Sequence, residues 1–134
     1  MALAADAMKF AARVGATKTI AGVRHAIVTA SVYTVKPTLH RLDMPFRAVR
    51  ADGRSPDEAP TVVSGWTCME EDVLSRGARL KLERGDWLVF DNCGAYTFVL
   101  SPRFIRGTPA VLVRGADGRW TVSRPADTGQ EWLS

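Results

Sequence analysis

The stretch GDWLVFDNCGAYTFVLSPRFIRGTPAVLVRGADGRWTVSR, residues 85–124, decides the fold. Inside it, DWLVFDN, YTFVLS, PAVLVRG and RWTVSR are short runs rich in aromatic and β-branched side chains, separated by NCG, RFIRG and GADG. Runs of this kind bounded by Gly, Asp and Asn read as strands, because the bounding residues enter turn conformations cheaply. GADG at 115–118 is the clearest hairpin turn. Outward toward the N-terminus the pattern continues in RHAIVTASVYTV (24–35), PFRAVRA (45–51), PTVVSGWT (60–67) and ARLKL (78–82), punctuated by DGRSPDE, RG and ERG. About eight strands at roughly ten-residue spacing predict an all-β architecture, a Greek-key-like β-barrel or sandwich. One segment departs from the pattern. In ADAMKFAARV (5–14), Ala5, Met8 and Ala12 fall near one helical face and Gly15 follows where a helix would stop, which predicts a short N-terminal helix. The expected division is a helical segment over 1–17 and a β-domain over 18–134.

Composition narrows the function classes. A chain of 134 residues suffices for one domain with a real core and is short for a two-domain enzyme. Hydrophobic residues make up 46% and charged residues 24%, an ordinary globular balance. HAIVTASVYTV at 25–35, the longest apolar-leaning stretch, is about half of what a spanning helix needs. No membrane association is expected. MALAADAMKF lacks a basic leader ahead of an apolar core, so the cytoplasm is the expected compartment. The net charge is +4 and 14 of the 18 basic residues are Arg, scattered without a run or an aromatic-interleaved motif, so no nucleic-acid partner is expected. Cys68 and Cys93 read as free thiols, and neither has metal-ligand spacing to His25 or His40, so no metal is expected.

Three motifs stand in order: Gly65, Cys68 and Asp72; then Gly85 and Asp86; then Gly94, Ala95 and Tyr96. Together they resemble the C-terminal β-domain of the fold-type III pyridoxal-phosphate decarboxylases, the family of diaminopimelate, ornithine and carboxynorspermidine decarboxylases. SPRFIRGTPAVLV looks closest to the branch that includes siderophore-pathway enzymes. VGATKTIAGVRHAIVTASVYTVKPTLH (14–40) extends the resemblance upstream, including a basic-Pro step at Lys36 and Pro37. The resemblance covers about residues 5–124. In that family the cofactor lysine, the ring-stacking His and the phosphate loop lie in a TIM barrel, and this chain starts where the barrel would end. Its four lysines, at 9, 18, 36 and 81, do not match the cofactor lysine's context.

The resemblance implies roles residue by residue. Cys68 matches a thiol that reaches the neighbouring protomer's site and returns a proton after decarboxylation; outside such a motif, a free cysteine is usually a buried packing residue. Tyr96 matches a phenol that hydrogen-bonds the cofactor phosphate, with Gly94 allowing a sharp turn before it; the alternative is a core aromatic at a strand start. Met69 stands where relatives carry an acid against the distal end of substrate, which argues against a basic diamine precursor held in that way. Glu70 or Glu71 could take that place from a shifted position, the alternative being solvated loop charges. Lys36 and His40 occupy positions where relatives bind substrate, Lys36 as a point charge for a carboxylate. Asp72 is expected to fix the loop or an intersubunit ion pair, His25 and Cys93 to be structural, and Trp66, Trp87 and Trp120 to be core or interface aromatics. The resulting expectation is the small subunit of a split decarboxylase. A separate TIM-barrel chain would carry pyridoxal 5'-phosphate on its lysine, in a heterotetramer acting on a small amino acid. The alternative is a non-catalytic binding or regulatory module descended from this domain.

Overall fold

The computed structural model describes residues 7–37, 43–50, 52–53, 57–94 and 96–129. Among these lie eight strands and two single-turn helices: β1 (Phe10–Ile20), β2 (Val23–Val28), α1 (Val32–Val35), β3 (Phe46–Val49), β4 (Pro60–Ser64), β5 (Val73–Arg79), β6 (Trp87–Phe90), α2 (Thr97–Leu100), β7 (Val111–Arg114) and β8 (Trp120–Arg124). The all-β expectation holds. The chain forms two compact units, Met1–Ser101 and Pro102–Ser134. The first carries a six-stranded sheet in the order β3-β6-β1-β2-β4-β5, and the second carries the β7-β8 hairpin.

Among the described residues the expected N-terminal helix is not formed; from Phe10 the chain is strand, and it runs unbroken past residue 17, while residues 1–6 of that expectation lie outside the described ones. The reason lies in the alternation of Phe10, Ala12 and Val14. Ala12 and Val14 are fully buried while Ala11 and Arg13 are exposed, a period of two that the sheet uses and a helix cannot. The first half of β1 pairs antiparallel with β6, setting Phe10 against Phe90 and Ala12 against Leu88. Its second half pairs with β2, and the register shifts at Gly15, where the strand passes from one neighbour to the other. Ala21 (φ 47) and Gly22 (φ 79) are both left-handed and close the β1-β2 hairpin as a two-residue turn. β2 and β4 run parallel, in register from Arg24 opposite Thr61 to Ile27 opposite Ser64.

Two expected strands end as helical turns. RHAIVTASVYTV is a strand only to Val28; Ser31 then caps α1, its hydroxyl accepting from the Tyr33 N–H while the Thr34 hydroxyl accepts from the Ser31 N–H. That reciprocal pair is a capping box with Thr in place of the usual Glu or Gln. YTFVLS is α2 rather than a strand. GADG at 115–118 does close the β7-β8 hairpin, with Gly115 N–H donating to the Arg119 carbonyl at 2.9 Å.

The core of the first unit joins both halves of the sheet to α1. Val14, Val28, Val63, Leu74, Leu88 and Phe90 are fully buried with Val32 and Val35 of the helix. Phe46 packs on Phe90 at 5.6 Å between ring centroids, tilted by 56°. Cys93 is buried among them as the small packing residue expected. Trp87 and Trp120 lie outside this core, at the surface. His25 sits half-buried in β2 opposite Lys18. Among the described residues no helix is long and apolar enough to cross a membrane.

Candidate active site

The Gly65–Asp72 motif is the connection between β4 and β5, and its acid builds it. Asp72 is buried, and its carboxylate accepts from the Thr67 N–H (3.0 Å), the Thr67 hydroxyl (2.7 Å) and the Val32 N–H (2.8 Å). Its backbone closes the same loop, the carbonyl accepting from Gly65 N–H and the N–H donating to the Met69 carbonyl. A Cβ on Gly65 would collide with the Asp72 carboxylate, which explains why glycine stands seven residues ahead of that acid. Trp66 N–H donates to the Ala30 carbonyl at 3.1 Å, so the loop is joined to the segment entering α1 at two points. Of the two roles expected for Asp72, the loop anchor is the one seen. Cys68, Met69 and Glu70 form the exposed crest over this buried base.

The Gly85–Asp86 motif is structural too. Gly85 takes φ 100, and its N–H donates to the Val14 carbonyl, while Val14 N–H donates to the Asp86 carbonyl. The fully buried Asp86 carboxylate pairs with Arg50 at 3.2 Å and accepts from the Glu83 N–H at 2.9 Å. This turn bolts β1 to β6 and presents no reactive group.

The third motif carries strain. Tyr96 precedes α2 with φ 65, a left-handed conformation that a bulky residue adopts only when its surroundings over-determine it. Asn92 (φ 58) is left-handed on the other side of Gly94. The phenol-bearing residue is 47% exposed, so it is not the core aromatic of the alternative reading. Thr97 is buried directly behind it. The Thr97 hydroxyl lies against the Val35 carbonyl at 3.1 Å and the Cys93 carbonyl, and the Ser101 hydroxyl reaches the Thr34 carbonyl at 3.4 Å.

α1 therefore stands between the two exposed groups. Its first N–H is held by the base of the Cys68 loop, and its last carbonyl is held by the residue after Tyr96. Lys36 ends the helix, its N–H donating to the Val32 carbonyl, and its charge acts on the Cys93 thiol. Burial is the larger influence on that thiol and pushes it up to about 11. Tyr33 of α1 has its phenol pushed up by burial and then by the negative charges of Glu71 and Asp72, which places the acidic end of the loop beside the helix. Cys68, Met69, Glu70, Lys36, Gly94 and Tyr96 thus fall on segments that meet at one helical turn. His40 lies outside the described residues. Thr97 and Thr67 were not singled out in the sequence. The hint available for Thr97 was its position next to the Tyr of a motif.

A six-stranded sheet joined to a helical turn, with a Gly-x-x-Cys-x-x-x-Asp loop and a Gly-Ala-Tyr turn on it, defines a decarboxylase-type β-domain. Residues 3–94 match the family model described as the C-terminal sheet domain of pyridoxal-dependent decarboxylases, and the chain belongs to that family. Diaminopimelate decarboxylase of Pseudomonas fluorescens is 35% identical over 104 residues, covering 74% of this chain and 24% of the relative. The enzyme of the same name from Archaeoglobus fulgidus is 42% identical over 77 residues, 54% of this chain and 17% of its own length. A crystal structure of diaminopimelate decarboxylase superposes with a TM-score of 0.84 at 24% identity, covering 98% of this chain and 34% of that one, a likeness of fold. The Paramecium bursaria Chlorella virus arginine decarboxylase bound to agmatine gives a TM-score of 0.67 at 26% identity, over 76% of this chain and 28% of that one. The chain spans a quarter or less of the length of the curated relatives it matches.

Proposed function

We propose that this chain is the β-domain component of a pyridoxal-phosphate amino-acid decarboxylase and completes an active site on a partner TIM-barrel chain that bears the cofactor lysine. The observation that carries the reading is the pairing of an exposed thiol, Cys68, with an exposed phenol, Tyr96, on segments held at opposite ends of α1. A scaffold domain needs neither group at its surface, nor a left-handed backbone under the phenol.

The donor set fits part of the cofactor. Tyr96 would hold its phosphate, since a phenol O–H donates to an anionic oxygen, and Gly94 leaves the approach free of a side chain. The lysines do not fit covalent attachment: Lys9 pairs with Asp91, Lys81 with Asp57 at 3.9 Å, Lys18 is exposed on β1 and Lys36 ends α1. When bound, pyridoxal phosphate supplies the electron sink for loss of the carboxylate. Cys68 holds a proton at Sγ and delivers it to the carbon that the carboxylate has left. Met69, 47% exposed beside the thiol, presents a thioether where a substrate ammonium would need an acid. Glu70 offers a charge one residue on, and Lys36 can meet a substrate carboxylate.

The names of the relatives make diaminopimelate the first substrate to try, followed by amino acids with an uncharged distal end. Co-expression with a barrel chain, followed by carbon dioxide release and cofactor absorbance with and without this chain, tests the reading. Activity that requires this chain, in a heterotetramer, is expected. A barrel chain that decarboxylates at full rate alone would overturn it.

A further inference from the structure

The geometry points to α1 as a tie bar: Asp72 and Thr97 are positioning residues that pin the Cys68 loop and the Tyr96 turn to its two ends, so that thiol and phenol are placed as one unit. A helix of four residues cannot hold itself, because its nucleation is costly: the turn's own bonds and its Ser31 cap serve the Tyr33, Thr34 and Val35 N–H groups and the Val32 carbonyl, but not the Val32 N–H or the last three carbonyls. Here the partners come from outside. Asp72 Oδ accepts the Val32 N–H at the start, and at the end the Thr97 hydroxyl shares its single proton between the Val35 carbonyl, at 3.1 Å, and the nearer Cys93 carbonyl. The Ser101 hydroxyl, whose nearest acceptor is the Thr97 carbonyl, adds longer contacts to the Thr34 carbonyl at 3.4 Å and the Tyr33 carbonyl at 3.5 Å. Asp72, Thr97, Val32 and Val35 are all buried, so none of these bonds is exchanged with solvent at little cost. Thr97 also follows Tyr96 directly, and the strained φ of 65 at Tyr96 persists only while its surroundings hold it. Removing the Thr97 hydroxyl therefore loosens the phenol, the end of α1 and, through Asp72, the thiol.

The catalytic consequence rests on the functional reading above, but the tie itself is tested on the full chain without cofactor or barrel. The probe is the rate of Cys68 alkylation by iodoacetamide, with Cys93 buried and unreactive. Thr97→Val, far from Cys68 in sequence, changes that rate by about threefold or more, the size of coupling seen within one hydrogen-bonded network. Thr97→Ser restores it by returning the hydroxyl. Asp72→Asn changes the rate as well, and the double variant shows less than the product of the two single effects. If Thr97→Val lowers the melting temperature yet leaves the Cys68 rate at the wild-type value, Thr97 is merely structural and the inference fails. Should Thr97→Val not fold, Ser101→Ala reads the same coupling from a half-buried position, and an unchanged rate there overturns the inference equally. In a reconstituted complex, Thr97→Val weakens cofactor binding and Thr97→Ser recovers it. A coupled thiol in a complex that releases no carbon dioxide contradicts the functional reading and leaves the tie standing. An active complex with an uncoupled thiol does the reverse.

Discussion

The Gly65–Asp72 loop and the Gly85–Asp86 turn use the same two residue types for different ends. In each, a glycine stands where a side chain would be strained, Gly65 against the Asp72 carboxylate and Gly85 at φ 100, and a buried aspartate accepts from backbone N–H, two for Asp72 and the Glu83 N–H for Asp86. The Asp86 carboxylate meets a buried cation, Arg50, and the turn closes on itself. The charges on Asp72 are answered by neutral donors, and the loop that it supports lifts Cys68, Met69 and Glu70 into solvent. A motif that looks catalytic as a whole thus divides into residues that make the platform and residues that stand on it. Asp72 and Asp86 belong to the first kind, Cys68 and Tyr96 to the second.

The difference is sharpest in stability. Asp86→Ala leaves Arg50, whose side chain is 7% exposed, with the Lys81 carbonyl but no counter-charge, and is expected to cost about 3–5 kcal/mol, read as a lowered urea midpoint. A loss under 1 kcal/mol would show that the ion pair is not what bolts β1 to β6. Gly65→Ala should cost about 1–3 kcal/mol, because the new methyl must displace the Asp72 carboxylate. Unlike Asp86→Ala, it should also alter the reactivity of Cys68.

Asp43 is a third carboxylate of this kind, at the surface. It accepts from Ser75 Oγ and from the N–H groups of Arg76 and Gly77 on the edge strand β5. Burial raises its pKa, but these three hydrogen bonds and the Arg76 charge outweigh it and hold the carboxyl below its ordinary value. A lowered folded value means that the stabilisation is complete above the unfolded carboxylate pKa, about 3.9, and fades as pH falls through the folded one. Asp43→Asn should therefore flatten the acid limb of the stability curve and leave its slope near neutral pH unchanged. The smallest effect contrasts the two thiols. Under native conditions one equivalent of thiol reagent should add at Cys68, and Cys93, buried and pushed up to about 11, should react only on unfolding.

Most of the sheet was legible because its strands alternate and end at Gly, Asp and Pro. The N-terminal segment misled because Ala is compatible with both periods. Ala5, Met8 and Ala12 satisfied a helix, but pairing with Leu88 and Phe90 decided for a strand. α1 and α2 were hidden for a different reason: four residues are too few to show a period, and VYTV and TFVL are good β-formers. Tertiary hydrogen bonds from Asp72 and Thr97 hold those turns, and such partners are invisible along the chain. Cys68 and Tyr96 were legible through their motifs. That they are joined through one helical turn was not, since the joining residues lie up to 62 positions apart.

The central claim is that this domain brings a proton-delivering thiol and a phosphate-holding phenol to a decarboxylase site. It is tested most directly by comparing Cys68→Ala and Tyr96→Phe in the complex with the barrel chain, following carbon dioxide release and cofactor binding together. The account predicts a split: Cys68→Ala lowers kcat by about 100-fold or more with cofactor affinity intact, the usual weight of a general acid, and Tyr96→Phe chiefly weakens cofactor binding. Wild-type turnover and cofactor affinity in both variants would contradict it.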